Sequence, residues 1–166
     1  MIKIRPEEPG DIAAIRDVNH RAFGQDQEGN IVDALRANGG ALLSLVAVKQ
    51  DRVVGHIMYS PARVGSVHGA ALGPMAVAPD EQRHGIGTRL VEAGNDRLAR
   101  DGCPFVVVVG HANFYPRFGF RPASIYGITC EWEVPDEAFM VLTLDHSKMN
   151  DVSGLAQYRP EFSTTS

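Results

Sequence analysis

Two glycines stand where a helix begins. The stretch GPMAVAPDEQRHGIGTRLVEA, Gly73 to Ala93, starts as an apolar strand, passes through a polar turn and resumes with helical spacing from Gly85. Gly85 and Gly87 fall in the first turn, where alanine would favour a helix by about 1 kcal/mol more. A strand–turn–helix junction leaves backbone N–H groups unpaired at the positive end of the helix dipole. That arrangement favours an anion, most often a phosphate. Without Cβ atoms at 85 and 87 a phosphate approaches the backbone closely, and Arg83 and His84 add positive charge beside it. The same glycines also suit plain tight packing of helix on sheet. Two other phosphate motifs fail: there is no G-x-x-x-x-G-K-[ST] run, and Leu90 stands where a dinucleotide fingerprint has its third small residue.

Little else in the chain offers a cofactor site. The six histidines (20, 56, 68, 84, 111 and 146) are scattered without short ligand spacing, and Cys103 and Cys130 are the only cysteines. A Cys-rich zinc site is excluded and no metal is expected. Sixteen Lys and Arg against twenty Asp and Glu give a net charge of −4, which argues against nucleic acid or an anionic membrane surface as partner. The opening MIKIRPEEPGD has no apolar signal core and no run is long enough to span a bilayer, so a cytoplasmic location is expected.

The elements that must hold this junction are readable from periodicity. IKIRP predicts a first strand. Asp11 reads as the N-cap of a helix carrying Ile12, Ile15, Val18 and Ala22 up to Gly24. GQDQEGN reads as a turn, followed by a shorter helix on Ile31, Val32 and Leu35 that ends near Asn38-Gly39-Gly40. LLSLVAV and RVVGHIMYSPARV read as a hairpin, with a third strand at about 70–77 whose Gly73-Pro74 predicts a bulge or broken ladder. A helix with Ile86, Leu90, Ala93, Gly94 and Leu98 on one face follows, then PFVVVVG as a strand covered on both faces. HANFYPRFGF reads as a short helical turn and FMVLTL as the last clear strand. The tail from about 146 to 166 carries little pattern, packed as loop or extending. With no repeat or linker, 44% hydrophobic and 22% charged residues over 166 positions predict one α/β domain, 1–166, with a mixed sheet.

Gln82-Arg83-His84-Gly85-Ile86-Gly87 after a strand ending MAVAP resembles the Q/R-x-x-G-x-G/A signature of the GNAT N-acetyltransferases. FYPRFGF, Phe114 to Phe120, resembles the aromatic-Tyr element that follows their fifth strand. GHANFYPRFGF is similar to the GHPEYYPRFGF segment of a branch of small bacterial acetyltransferases, as are VVGHIMYSPARV and VPDEAFMVLTL. The resemblance covers nearly the whole chain. It implies a sheet of six or seven strands flanked by about four helices, with a splay between two central parallel strands.

The resemblance also implies a chemistry: acetyl transfer from acetyl-CoA to a primary amine, by direct attack in a ternary complex. Gln82, Arg83, His84, Gly85, Ile86, Gly87 and Thr88 would hold the pyrophosphate, and Met75, Ala76 and Val77 the pantetheine arm and thioester carbonyl. Tyr115 takes the position of the family's general acid, and an ordinary pKa of about 10 keeps a tyrosine protonated at neutral pH. A core aromatic is the plain alternative for it. Phe114 stands where the branch often has a second tyrosine, and Val108 where the family has a pantetheine-clamping asparagine; Asn113 is out of register. HGAALGPMAV carries no carboxylate to serve as base, leaving Glu28, His68 or His111 through water, each with an ordinary structural alternative. Phe23, Glu28 and His111 are acceptor-site candidates. The acceptor is a small-molecule or peptide amine, and a homodimer fits by analogy. A non-catalytic acyl-CoA-binding module of the same fold is the competing reading.

Overall fold

The computed structural model describes residues 1–164, which divide into two compact units. The first comprises Met1–Tyr59, Pro74–Gly94 and the stretch from Pro160; the second comprises Ser60–Gly73 and Asn95–Arg159. Three elements contribute residues to both: β3 (Arg52–Val64), β4 (Val67–Val77) and α3 (Ile86–Arg100).

In the first unit β1 (Ile2–Pro6) pairs antiparallel with β2 (Leu43–Lys49), from Ile2↔Lys49 to Pro6↔Leu45, and β2 pairs antiparallel with β3. The β2–β3 turn, Gln50-Asp51, has φ of 50° and 63°, the two left-handed residues of a tight hairpin. α1 (Ile12–Phe23) and α2 (Gln27–Ala37) bury Ile15, Ile31, Val32 and Leu35 with Val46 and Met58 of the strands. Gly24, at φ 71°, ends α1 by donating to the His20 carbonyl at 2.8 Å.

Two expectations need correction here. Asp11 flanks α1 but does not cap it. Its carboxylate takes the Glu8 N–H at 2.7 Å and both guanidinium nitrogens of Arg5 at 2.7 and 3.1 Å, so it closes the preceding turn Pro9–Asp11. α2 begins at Gln27, inside the stretch read as a turn, because apolar spacing reports only the buried face and its first turn is polar. Gly29 there leaves room for Arg16, whose guanidinium binds Asp33 at 2.7 Å and Asn30 at 2.8 Å.

In the second unit the strand order is β4-β5-β8-β6. β4 and β5 (Phe105–Val109) run parallel, joined from Ala70↔Val106 to Leu72↔Val108. β8 (Phe139–Thr143) runs antiparallel to β5 and to the two-residue β6 (Arg121–Pro122). β9 (Gly154–Gln157) pairs antiparallel with the end of β3 and parallel with β7 (Ile128–Thr129). Phe105, Val107, Phe139, Val141 and Ala71 share a buried face with Ala123, Ile128 and Ala156. Among the described residues six strands have five or more residues and the other three have two to four. The stretch after His146 is packed: β9 lies in it, and Phe162 of α4 (Glu161–Thr164) joins the core of α1 and α2.

Candidate cofactor loop and active site

Within the first unit, α3 lies close on β3. A Cβ on Gly55 would meet Ile86 and Leu90 of α3 at 3.1 Å, and one on Gly94 would come within 2.4 Å of the Tyr59 ring. This close seat carries the start of α3 to the end of β4. There Ala76 is buried against Val18 and Ala78, which leaves Met75 and Val77 half-buried on the other face of the strand. β4 runs unbroken through Gly73, at φ 152°, and Pro74, with no N–H to donate, and its pairing with β5 lies before them, from Ala70↔Val106 to Leu72↔Val108.

The loop between β4 and α3 is built from the residues singled out above. Gln82 turns back and donates Nε2 to the Val77 carbonyl at 3.0 Å, clamping the loop to the strand end. Arg83 has φ 67°, a left-handed conformation rare for arginine, and Gly85 has φ 79°. The first helical bond of α3 runs from Arg89 N–H to Gly85 O at 3.1 Å, so the N–H groups of Ile86, Gly87 and Thr88 have no partner in the helix. Gln82, Arg83, His84 and Gly85 are exposed and Gly87 and Thr88 half-buried, whereas Ile86 is 2% exposed and anchors the turn. A Cβ on Gly85 would meet nothing within 4 Å. At that position the packing explanation for glycine fails, and a positive φ beside open space remains. Left-handed residues ahead of free N–H groups form an anion-binding concavity, and the fit to a phosphate is good.

The loop is braced from α1 and β2. Arg21 binds Asp80 at 3.1 Å, and Lys49 binds the buried Glu81 at 3.0 Å. Neither pair stood out in the sequence, since each joins positions more than 30 apart with no shared motif. Phe23, two residues beyond Arg21, is 41% exposed at the end of α1. Glu28 is half-buried in the first turn of α2, and both its oxygens accept from Gln25 Nε2 at 3.1 Å.

The second unit holds Tyr115 and His111. Tyr115 opens the turn Tyr115–Phe118 and is 7% exposed, with its ring edge-to-face on Phe114 at 5.0 Å and on Phe120 at 5.6 Å. Gly110 makes this seat possible: a Cβ there would sit 2.3 Å from Cε2 of Tyr115. The phenol makes no hydrogen bond among the described residues, and burial pushes its pKa up to about 12. His111 is exposed; its carbonyl accepts the Phe114 and Tyr115 N–H groups, so its backbone rather than its ring shapes the turn. His68 is also exposed, in β4. Among the described residues, no three His, Cys, Asp or Glu side chains group as metal ligands.

A polar chain that sequence reasoning missed runs through the first unit's core. His56 is fully buried in β3, its Nδ1 3.2 Å from Asn19 Nδ2 and its Nε2 2.9 Å from Ser44 Oγ. Because Asn19 Nδ2 donates, Nδ1 accepts, and the ring carries its proton on Nε2 towards Ser44. Ser44 donates onward to Glu7, which also holds Arg36 at 2.9 and 3.0 Å. Burial is the main cause that pushes His56 down to about 4. The one sequence signal is a histidine within an apolar strand run.

Comparisons with known proteins identify the family. Residues 11–120 match the model of the Acetyltransferase (GNAT) family. An uncharacterized N-acetyltransferase of Escherichia coli K12, YhbS, is 33% identical over 162 residues, covering 96% of this chain and 97% of that protein. The crystal structure of E. coli YhbS in complex with CoA superposes with a TM-score of 0.95 at 32% identity, covering 99% of this chain and 93% of that one. A Brucella melitensis GNAT acetyltransferase solved with acetyl-CoA gives 0.82 at 34% identity, covering 98% of each chain. Among the described residues no helix is long and apolar enough to cross a membrane. With its strand-to-helix glycine loop and its buried tyrosine, this chain belongs to the GNAT family of acetyltransferases.

Proposed function

We propose that the protein transfers the acetyl group of acetyl-CoA to a primary amine by direct attack in a ternary complex. The observation that carries the cofactor half is the loop Gln82–Thr88. Arg83 and Gly85 hold left-handed backbone, the N–H groups of Ile86, Gly87 and Thr88 are free of the helix, and nothing fills the space a Cβ of Gly85 would take. These groups would hold the pyrophosphate, with Arg83 and His84 supplying charge. The end of β4, Met75 to Val77, would line the pantetheine arm, and backbone N–H there would polarise the thioester carbonyl. YhbS and the Brucella protein were solved with CoA and acetyl-CoA, which supports this reading.

The amine attacks in its neutral form: its nitrogen bonds to the thioester carbon, the carbon–sulfur bond breaks, sulfur leaves with the electron pair, and the proton shed by the nitrogen passes to water. Tyr115 is the proton source for that sulfur. Its raised pKa keeps it protonated across the working range, and its unengaged hydroxyl is free to donate. Phe23, Glu28 and His111 are the acceptor-side candidates.

The test is calorimetric titration with acetyl-CoA, with ATP and NAD at equal concentration as controls. One molecule of acetyl-CoA per chain and no heat from the controls is the expected result. Gly85→Val, which puts a branched side chain at φ 79°, should weaken binding tenfold or more. Absence of acetyl-CoA binding by the wild-type protein overturns the proposal.

A further inference from the structure

Residues 124–139 of the second unit surround a cavity of about 270 Å3 that none of the roles above uses. Phe139 and Ile128 line it, both in the buried cluster of that unit, as does Val134, packed against the same cluster. Exposed Glu133 and Asp136 and half-buried Trp132 also line it. The Trp132 ring is held edge-to-face on Tyr158 at 4.8 Å with 72° between the planes.

The charge here is one-sided. The segment EWEVPDE, 131–137, holds four carboxylates and no cationic residue. Neither Glu133 nor Asp136 has a hydrogen bond or ion pair among the described residues. An indole, two unpaired carboxylates and an aliphatic wall around one concavity are the groups that recognise an organic cation. The volume corresponds to about nine waters at ~30 Å3 each, so the fit is to a small molecule.

The alternation of strand β5 places this cavity relative to Tyr115. Phe139 shares its face of the sheet with Val107, whereas Gly110, on which the Tyr115 ring sits, has the alternation of Val108. The cavity and the Tyr115 ring therefore belong to opposite faces of β5 and β8. An amine held by carboxylates is kept as ammonium and is no nucleophile while it is held. The cavity is an anchor, not a reaction centre.

We propose that this cavity binds an organic ammonium ion: a protonated amine on a small aliphatic or aromatic body, its charge on Glu133 and Asp136 and its carbon body against Trp132, Val134 and Phe139. The ligand is either a distal ammonium of the acceptor or a separate small-molecule effector. The site stands independently of the acetyl-transfer reading, because its test requires no turnover.

Trp132 is the only tryptophan of the chain, so its fluorescence reports this cavity alone. The full-length protein is titrated with 2-phenylethylamine, with uncharged 2-phenylethanol and anionic phenylacetate as controls. The expected result is a saturable change with the amine, at least tenfold weaker with the alcohol and absent with phenylacetate. The double variant Glu133→Gln, Asp136→Asn should weaken the amine tenfold or more and leave the acetyl-CoA titration unchanged. Both side chains are exposed, so an unchanged melting temperature is expected and confirms the fold. Equal response to amine and alcohol, an unaffected double variant, or no response to either 2-phenylethylamine or n-hexylamine overturns the proposal. Once binding is seen, mass spectrometry after incubation of a diamine, 1,6-diaminohexane, with acetyl-CoA separates the sources: a monoacetylated product in the wild-type protein that is lost in the double variant makes the site an anchor for the acceptor, and an unmodified diamine makes the ligand an effector.

Discussion

Replacing Tyr115 by Phe removes one oxygen from a buried ring and nothing from its packing. The ring contacts with Phe114 and Phe120 survive, and the hydroxyl makes no hydrogen bond to lose, so stability at neutral pH should change by less than about 1 kcal/mol. Turnover should not survive. A positioned general acid contributes about 10²–10⁴ in rate, or about 3–5 kcal/mol. Burial sharpens the expectation through pH. Moving the phenol from 10 to about 12 disfavours tyrosinate by about 3 kcal/mol. At pH 9 the ionised fraction falls from about one in ten to about one in a thousand, so the wild-type rate should show no loss from this group up to pH 10. The same shift makes its stability contribution complete below pH 10 and lost as pH rises from 10 through about 12, a decline that the phenylalanine variant lacks. The assay is thiol release at saturating acetyl-CoA from pH 6.5 to 10, beside calorimetric titration of acetyl-CoA. Wild-type turnover in the variant would refute the acid role. A wild-type alkaline limb below pH 10 that vanishes in the variant would refute the burial argument. Loss of cofactor binding together with turnover would make the residue structural.

Two further outcomes follow from the first unit. His56 is neutral in the fold with its pKa lowered to about 4, so its contribution is fully present above about pH 6.5 and is lost as pH falls towards 4, about 3 kcal/mol in all. Urea unfolding at pH 7, 5.5 and 4 should show that decline and His56→Gln should flatten it; a flat wild-type curve would contradict the burial of a neutral ring. Gly94→Ala puts a methyl 2.4 Å from the ring of Tyr59, which is fully buried and cannot swing away. Overpacking of this kind costs about 1–3 kcal/mol. The melting temperature should fall by several degrees despite alanine's better helix propensity, and a rise would disprove the close seat of α3 on β3.

Much of the scaffold was legible because each long element has its own period. β1, the β2–β3 hairpin, α3, β5 and β8 lie where the apolar spacing predicted them. Apolar spacing predicts α2 too short because its first turn is polar, and periodicity sees only what is buried. Asp11 defeats pattern reading because an aspartate at a helix start has the same spacing whether it serves the helix or the turn before it, and its bonds to Arg5 and the Glu8 N–H tie it to the turn. The purpose of Gly85 could not be settled from residues alone. Packing and conformation predict the same letter, and only the empty space around it together with its φ tells them apart. Gly94 shows the opposite case, a helix glycine whose reason is a ring 35 positions away in the chain. The cavity beside Trp132 lay in a segment without periodicity, where spacing carries no signal.

The small final helix bears on the order in which the protein is made. Asn38, just after α2, donates to Glu161 at 3.1 Å, a bond between residues 123 apart, and Phe162 packs into the core that α1 and α2 bury. The ribosome adds about 5–20 residues per second, so that core waits about 6–25 s for its last side chain after Asn38 is joined to the chain. Throughout that interval the apolar face of α1 and α2 lacks its final cover, while Asn38 lacks the buried carboxylate it will meet. The loop at Gly85 and the strands beneath it are all synthesised inside the same window. The core begun by α1 and α2 and widened by Val46 and Met58 of the strands is therefore closed on one side by a residue synthesised long after the helices themselves.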